Sequence, residues 1–167
     1  WVYIRFLDVT AWIRNSLVKR EYLELTRLIE RLHRRFLDVL RAELGRMGIK
    51  ELNAVQALLL SNIGDEEIAI RDLVERGYYQ GSNVSYNIKK LTDMGYLEQE
   101  RSQHDRRSVT VRLTPKALEV VQRVRELEDH NAAKVEGDGM EKASLEAATE
   151  TLRNVERLWA EHIRYGS

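Results

Sequence analysis

The feature that most constrains this chain is an apolar stripe. Tyr22, Leu25, Ile29, Leu32, Phe36 and Val39 are separated by alternating steps of three and four residues, the spacing of one face of an α-helix. Val9 and Ile13 carry the same period upstream, so the spacing predicts helix through residues 6–44. Arg27, Glu30, Arg31, Arg34 and Arg35 fall on the other faces. A periodic helix of about 30 residues is about 45 Å long, more than one small domain needs. Two readings follow. Either the stripe faces the chain's own core, or part of it meets a partner chain. A second stripe closes the sequence: Leu145, Ala148, Leu152, Val155 and Trp159 form a narrow seam of the kind that pairs helices, on a helix expected to end near His162.

Between the stripes the chain punctuates itself with glycine. Gly45 and Gly48 end the first helix. A second helix is expected over residues 51–61, with Val55, Leu58 and Leu59 inward, followed by a turn at Asn62-Ile63-Gly64-Asp65. Ile68-Ala69-Ile70 reads as a very short strand, and Arg71 to Arg76 as a short helix that Gly77 can end in the left-handed conformation. The next helix covers residues 82–94. Ser82 suits its N-cap, and Val84, Ile88 and Leu91 form its buried face. After Gly95, Tyr96–Glu100 and Val109–Leu113 alternate like strands around the polar loop 101–108. Thr114-Pro115 is a helix start, continued by Leu118, Val121 and Val124 to about Val135. Gly137-Asp138-Gly139 then breaks the chain. The expected fold is mainly α with a small β-hairpin: a winged helix-turn-helix at residues 49–113, between long dimerisation helices at 1–48 and 114–167.

Composition narrows the function. Among 167 residues there is no cysteine, which excludes disulfides, thiolate metal sites and cysteine nucleophiles. The formal net charge is zero, against a nonspecific nucleic-acid coat but not against local positive charge. No apolar run of about 18 residues suggests a membrane span, and no signal peptide is expected, so a cytoplasmic place is. Trp1 in place of Met suggests that the natural start lies upstream. His33, His104, His130 and His162 are scattered without metal-ligand spacing. Glu66-Glu67 reads as solvated, and neither a Gly-rich phosphate loop nor a Gly-x-Ser-x-Gly elbow occurs. No catalytic residue, metal or cofactor is assigned.

Short helix, turn, second helix and basic hairpin together suit DNA. The second helix fits a major groove, and a hairpin arm can set an arginine into the adjacent minor groove. Ser82, Asn83, Ser85, Tyr86, Lys89 and Lys90 make a small, polar or cationic outer face. By itself such a face is equally a solvated one. Arg101, Arg106 and Arg107 crowd the hairpin tip, and Asp105 stands two residues before Arg107, close enough to brace its guanidinium. A charge run is usually solvated surface, but this one directly follows a candidate recognition helix. Over 82–113, Lys89, Lys90, Arg101, Arg106, Arg107 and Arg112 only slightly outnumber Asp93, Glu98, Glu100 and Asp105. Affinity should therefore lean on geometry and on two copies of the site.

The segment LTDMGYLEQERSQHDRRSVTVRLTPKALEVV, residues 91–121, resembles the MarR family signature: the leucine and glycine that close the recognition helix, the Asp-x-Arg wing motif at Asp105-Arg106-Arg107, and a strand running into Leu113-Thr114-Pro115. Residues 76–91 are also similar to the branch typified by an alphaproteobacterial regulator of L,D-transpeptidase expression. The resemblance implies an obligate homodimer on a palindromic operator, acting as a repressor released by a small aromatic or lipophilic effector. It matches Arg107 to the minor-groove wing arginine and Asp105 to its brace. It implies a ligand pocket between the dimerisation helices and the winged-helix lobe, for which His33, Phe36, Tyr78 and Tyr79 are candidates. Ile13, Leu145, Leu152, Val155 and Trp159 are candidates for the dimer seam. Tyr86 stands where many members have arginine, so base preference does not transfer. The turn Gly77-Tyr78-Tyr79-Gln80-Gly81 is unusual, and its tyrosines suit core, ligand cleft or phosphate. The alternatives are a winged helix that pairs proteins and an architectural DNA binder insensitive to ligands.

Overall fold

The computed structural model describes the backbone of residues 2–75, 81–101 and 109–166, and the side chains of residues 17–74, 83–100 and 109–166. The chain divides into two compact units, residues 1–121 and 122–167.

The first unit opens with α1 (Val2–Arg46), one continuous helix of 45 residues. Exposed ion pairs lace it at helical spacing: Arg34 to Glu30 at 2.7 Å and Arg41 to Asp38 at 2.6 Å. The stripe at 22–39 is only half covered. Tyr22, Leu25, Ile29 and Phe36 are half-buried, while Leu32 and Val39 are exposed. Full burial comes one step further on, at Leu40, Glu43 and Leu44, because it is the C-terminal turns of α1 that reach the compact core. The Glu43 carboxylate is paired there with Arg46.

The second helix, α2 (Ala54–Ile63), starts three residues later than the spacing suggested. Asn53 sets the start: its side chain accepts from the Gln56 amide at 2.9 Å, and the Gln56 side chain accepts from the Asn53 amide at 3.1 Å. This capping box satisfies two end donors reciprocally. The helix also faces differently from the expectation. Leu59 is inward, but Val55 is exposed and Leu58 only half-buried, while Ala54, Gln56, Ala57, Leu60 and Ile63 are buried. The helix is apolar nearly all round, so its period does not fix a face.

After α2 come β1 (Ile68–Ala69), α3 (Ile70–Glu75), α4 (Gly81–Asp93), β2 (Leu97–Arg101) and β3 (Val109–Leu113). The hairpin is part of a three-stranded antiparallel sheet in the order β1-β3-β2. Ile68 faces Val111, and Leu97 faces Leu113. Leu73, Val84, Ile88, Leu91, Tyr96, Leu97 and Val111 form the centre of the core, joined by Leu59 and Leu60 from α2. The next helix, α5 (Pro115–Gly137), adds Ala117, Val120 and Val121 to it. Leu118, on the same helix, is exposed. Thr114 caps α5, its hydroxyl accepting from the Ala117 amide at 3.3 Å.

The second unit holds the rest of α5 and α6 (Lys142–Tyr165), in which no residue is buried. This last helix runs past His162 before Gly166 stops it. No helix among the described residues is long and apolar enough to cross a membrane.

The junction of α4 and β2 turns on Gly95, at φ +76°. Its amide donates to the Thr92 carbonyl at 3.0 Å, and the Tyr96 amide donates to the Leu91 carbonyl at 2.8 Å. This pair of bonds is the Schellman closure, which needs a left-handed residue. A Cβ at Gly95 meets nothing within 4 Å, so the cost of a side chain there is backbone strain alone. Gly95→Ala should destabilise the fold by about 1–2 kcal/mol. Gly45→Ala, inside α1 and equally unobstructed, should instead stabilise by up to about 1 kcal/mol. Urea unfolding of the two variants beside the wild type checks the opposite signs.

Candidate nucleic-acid interface

The helix α4 has two unlike faces. Val84, Ile88 and Leu91 are buried to 1% exposure or less. Around the outer arc Asn83, Ser85, Tyr86, Lys89, Lys90 and Asp93 are all exposed, Tyr86 to 61%. The Asn87 side chain donates to the Asn83 carbonyl at 2.9 Å. The Lys90 ammonium stands 5.9 Å from the Tyr86 ring centroid, within cation–π reach. The helix begins at Gly81, so Ser82 lies inside its first turn instead of capping it; its side chain is outside the described residues.

The hairpin stem is fixed to α4. Gln99 donates to the Thr92 hydroxyl at 2.8 Å, and Thr92 donates to the Ile88 carbonyl at 2.8 Å. Across the stem Glu98 stands opposite Arg112 and pairs with it at 2.6 Å. Arg112 therefore neutralises the stem rather than adding to a cationic surface. Arg101 closes β2 opposite Val109. Its side chain lies outside the described residues, as do Asp105, Arg106 and Arg107 of the tip, His104, and Gly77, Tyr78 and Tyr79 of the turn before α4.

A polar cluster that the sequence did not reveal holds the far end of α4. The Tyr96 hydroxyl donates to Glu51 at 2.8 Å. Lys116 lies 4.0 Å from the centroid of the Tyr96 ring and 3.5 Å from the same Glu51 oxygen, and donates to the Met94 carbonyl at 3.1 Å. A backbone hydrogen bond, then the Tyr96 hydroxyl, hold the Glu51 carboxyl below its ordinary pKa. Burial, then the Glu51 carboxylate, push the Tyr96 phenol up to about 12. Beside this cluster a cleft of about 230 Å³ opens between the start of α2 and the outer face of α4. Lys50, Asn53, Tyr86 and Lys90 are among its lining. The Asn-x-x-Gln box at Asn53 was the signal that could have placed α2 there. No sequence pattern pairs Lys50 with Lys90.

The other candidates lie elsewhere. On α1, His33 is exposed and Phe36 half-buried. Ile13 lies in α1, its side chain outside the described residues. On α6, Leu145, Leu152 and Trp159 are 44%, 42% and 39% exposed and Val155 is half-buried, an apolar seam without burial. At the α5–α6 turn, Ala132, Val135, Met140 and Leu145 line a second cleft of about 550 Å³.

Residues 52–117 match the winged helix DNA-binding domain pattern. The exopolysaccharide II synthesis transcriptional activator ExpG of Rhizobium meliloti is 38% identical over 146 residues, which span 87% of this chain and 75% of that protein. The fold also matches a mutant MarR from E. coli complexed with operator DNA, at TM-score 0.63 and 18% identity over 81% of this chain and 95% of that one. The chain belongs to the MarR family of winged-helix transcriptional regulators. Like its relatives, this MarR-family chain is a regulator and not an enzyme. A further MarR-like fold is that of Bordetella bronchiseptica BpsR, solved in a study of the regulation of its DNA binding by 6-hydroxynicotinic acid, with TM-score 0.62 and 22% identity over 80% of this chain and 98% of that one. The resemblance to the L,D-transpeptidase branch gains no support from these relatives.

The two faces of α4 should separate on mutation. Ile88→Ala should destabilise the MarR-like core by about 2–5 kcal/mol, whereas Lys89→Ala on the exposed face should stay within about 0.5 kcal/mol of wild type. Denaturant unfolding of each variant measures both.

Proposed function

We propose that this MarR-family regulator binds a palindromic operator as a homodimer, through a DNA-binding lobe at 49–113 held between dimerisation helices at 1–48 and 114–167. The observation that carries this reading is the outer face of α4. Side chains that can hydrogen-bond base edges or phosphates cover it, and the wing stem is fastened to the same helix at the half-buried Thr92. Asn83, Ser85 and Tyr86 are proposed to read the major groove, with Ser82 at its edge, while Lys89 and Lys90 hold phosphate. Arg107 of the wing is proposed to enter the minor groove with Asp105 as its brace, and Arg101 and Arg106 are proposed to meet the backbone. MarR from E. coli is solved with operator DNA, which supports this docking for the same fold.

The exposed seam of Leu145, Leu152, Val155 and Trp159, together with Ile13 of α1, is proposed as the dimer contact. An apolar stripe of this length is unusual on a chain that stays alone. A small aromatic or lipophilic effector, seated near His33, Phe36, Tyr78 and Tyr79, is proposed to release the DNA. The regulation of BpsR by 6-hydroxynicotinic acid supports an aromatic acid as the class to try first. Repression is the mode proposed where the operator overlaps a promoter. A second reading, activation from an operator beside the promoter, is favoured by the naming of the Rhizobium relative as an activator. The proposed place of action is the cytoplasm, on DNA.

Two experiments test the reading. Genome-wide selection of bound DNA should yield palindromic fragments, and on one of these Arg107→Ala should weaken binding by about 1–3 kcal/mol; an unchanged isotherm at fixed salt would remove the wing from the interface. Leu152→Asp should turn the dimer into monomers in analytical ultracentrifugation and abolish operator binding. A folded monomer with wild-type affinity would refute the seam.

A further inference from the structure

We infer that the cleft between the start of α2 and the outer face of α4 seats a phosphate of the DNA backbone, with Lys50 as a second anchor outside the recognition helix. The inference rests on the DNA-binding reading above and extends it to a residue outside both α4 and the wing.

The cleft is about 230 Å³ and draws on two elements. Lys50 and Asn53 come from the segment that enters α2, and Tyr86 and Lys90 from α4. Both lysines are exposed at its mouth. Glu51 is the carboxylate in its lining, and its charge is already answered: it takes the Tyr96 hydroxyl at 2.8 Å and the Lys116 ammonium at 3.5 Å. What the cleft offers a visitor is therefore two cations and a phenol. An anion with several acceptor oxygens suits that set better than a planar base edge does.

Position selects the source of the anion. Tyr86 and Lys90 belong to both the cleft and the outer face of α4. A duplex whose major groove receives that face must carry one of its strands past the cleft mouth. Lys50 then grips the backbone from the α2 side while Lys90 grips it from the α4 side, and the two fix the angle at which α4 enters the groove. Phosphate contacts of this kind set register without reading sequence. Lys50 should thus raise affinity for all sequences equally.

The test uses the full chain and measures binding against potassium chloride concentration, on a duplex selected by the wild type and on one of random sequence. Lys50→Ala should lower the slope of log K against log salt by about 0.9 for each copy of the chain bound, on both duplexes, with the ratio of the two affinities kept. Lys50→Arg should restore the slope, and Lys134→Ala, on α5, should leave it unchanged. Because Lys50 is exposed, the unfolding midpoint should not move. If Lys50→Ala keeps the wild-type slope while Lys89→Ala loses it, the DNA reading stands and the seat is wrong. If the wild type binds neither duplex, both fall. If inorganic phosphate at constant ionic strength displaces DNA from the wild type but not from Lys50→Ala, with the slopes alike, the cleft holds a free anion and the seat is overturned.

Discussion

The winged helix depends on how one buried tyrosine is tied. Tyr96 follows the left-handed Gly95, and its ring is sealed in the core at 1% exposure. Two otherwise separate segments meet on it. Its hydroxyl reaches Glu51 in the entry to α2, its ring carries Lys116 from the first turn of α5, and its carbonyl accepts the Thr114 amide at 3.1 Å. The Thr114 hydroxyl adds a bond to the Gly95 carbonyl at 2.8 Å. The end of the recognition helix, the foot of the wing and the start of α5 are thus one joint. This joint ties the end of α4 to the foot of the hairpin with short bonds to backbone and with the buried tyrosine's bond to Glu51 rather than with long exposed ion pairs, which contribute little.

Much of this was legible in the sequence, for reasons that differ by element. The buried face of α4 was readable because Val84, Ile88 and Leu91 are the apolar positions of an otherwise polar helix, so period and burial coincide. The strands and the Thr114-Pro115 helix start were readable from alternation and capping chemistry. Where a helix is apolar nearly all round, as α2 is, period carries little direction, and Val55 was assigned inward although it is exposed. In α1 the stripe was real but not the buried set; Leu40 and Leu44 take the core because only the last turns of the helix reach it. The β1 strand needed a partner far along the chain, Val111, to become part of a sheet.

The candidate site was legible as a face and illegible as a cluster. Tyr86, Lys89 and Lys90 follow from helical spacing. The bond from Tyr96 to Glu51 spans 45 residues, and no local pattern announces it. The same holds for Arg112, which counted as a wing cation by sequence and is consumed by Glu98 across the stem. Cross-strand register decides that pairing, and register is a property of the folded sheet.

That correction bears on how such a chain can hold DNA at all. With Arg112 paired and Asp93 exposed beside Lys89 and Lys90, the charge over the described part of the interface is small. Counterion release scales with the number of phosphates neutralised, so one copy of a weakly cationic surface gains little from electrostatics alone. Two routes raise affinity without raising net charge. One is to place a few cations at fixed positions, so that little side-chain freedom is lost on binding; the two-sided cleft at Lys50 and Lys90 is where this route is proposed. The other is to link two copies, which makes the second contact intramolecular. The apolar seam on α6 is where the second route is proposed, and a chain with zero formal net charge has reason to use both.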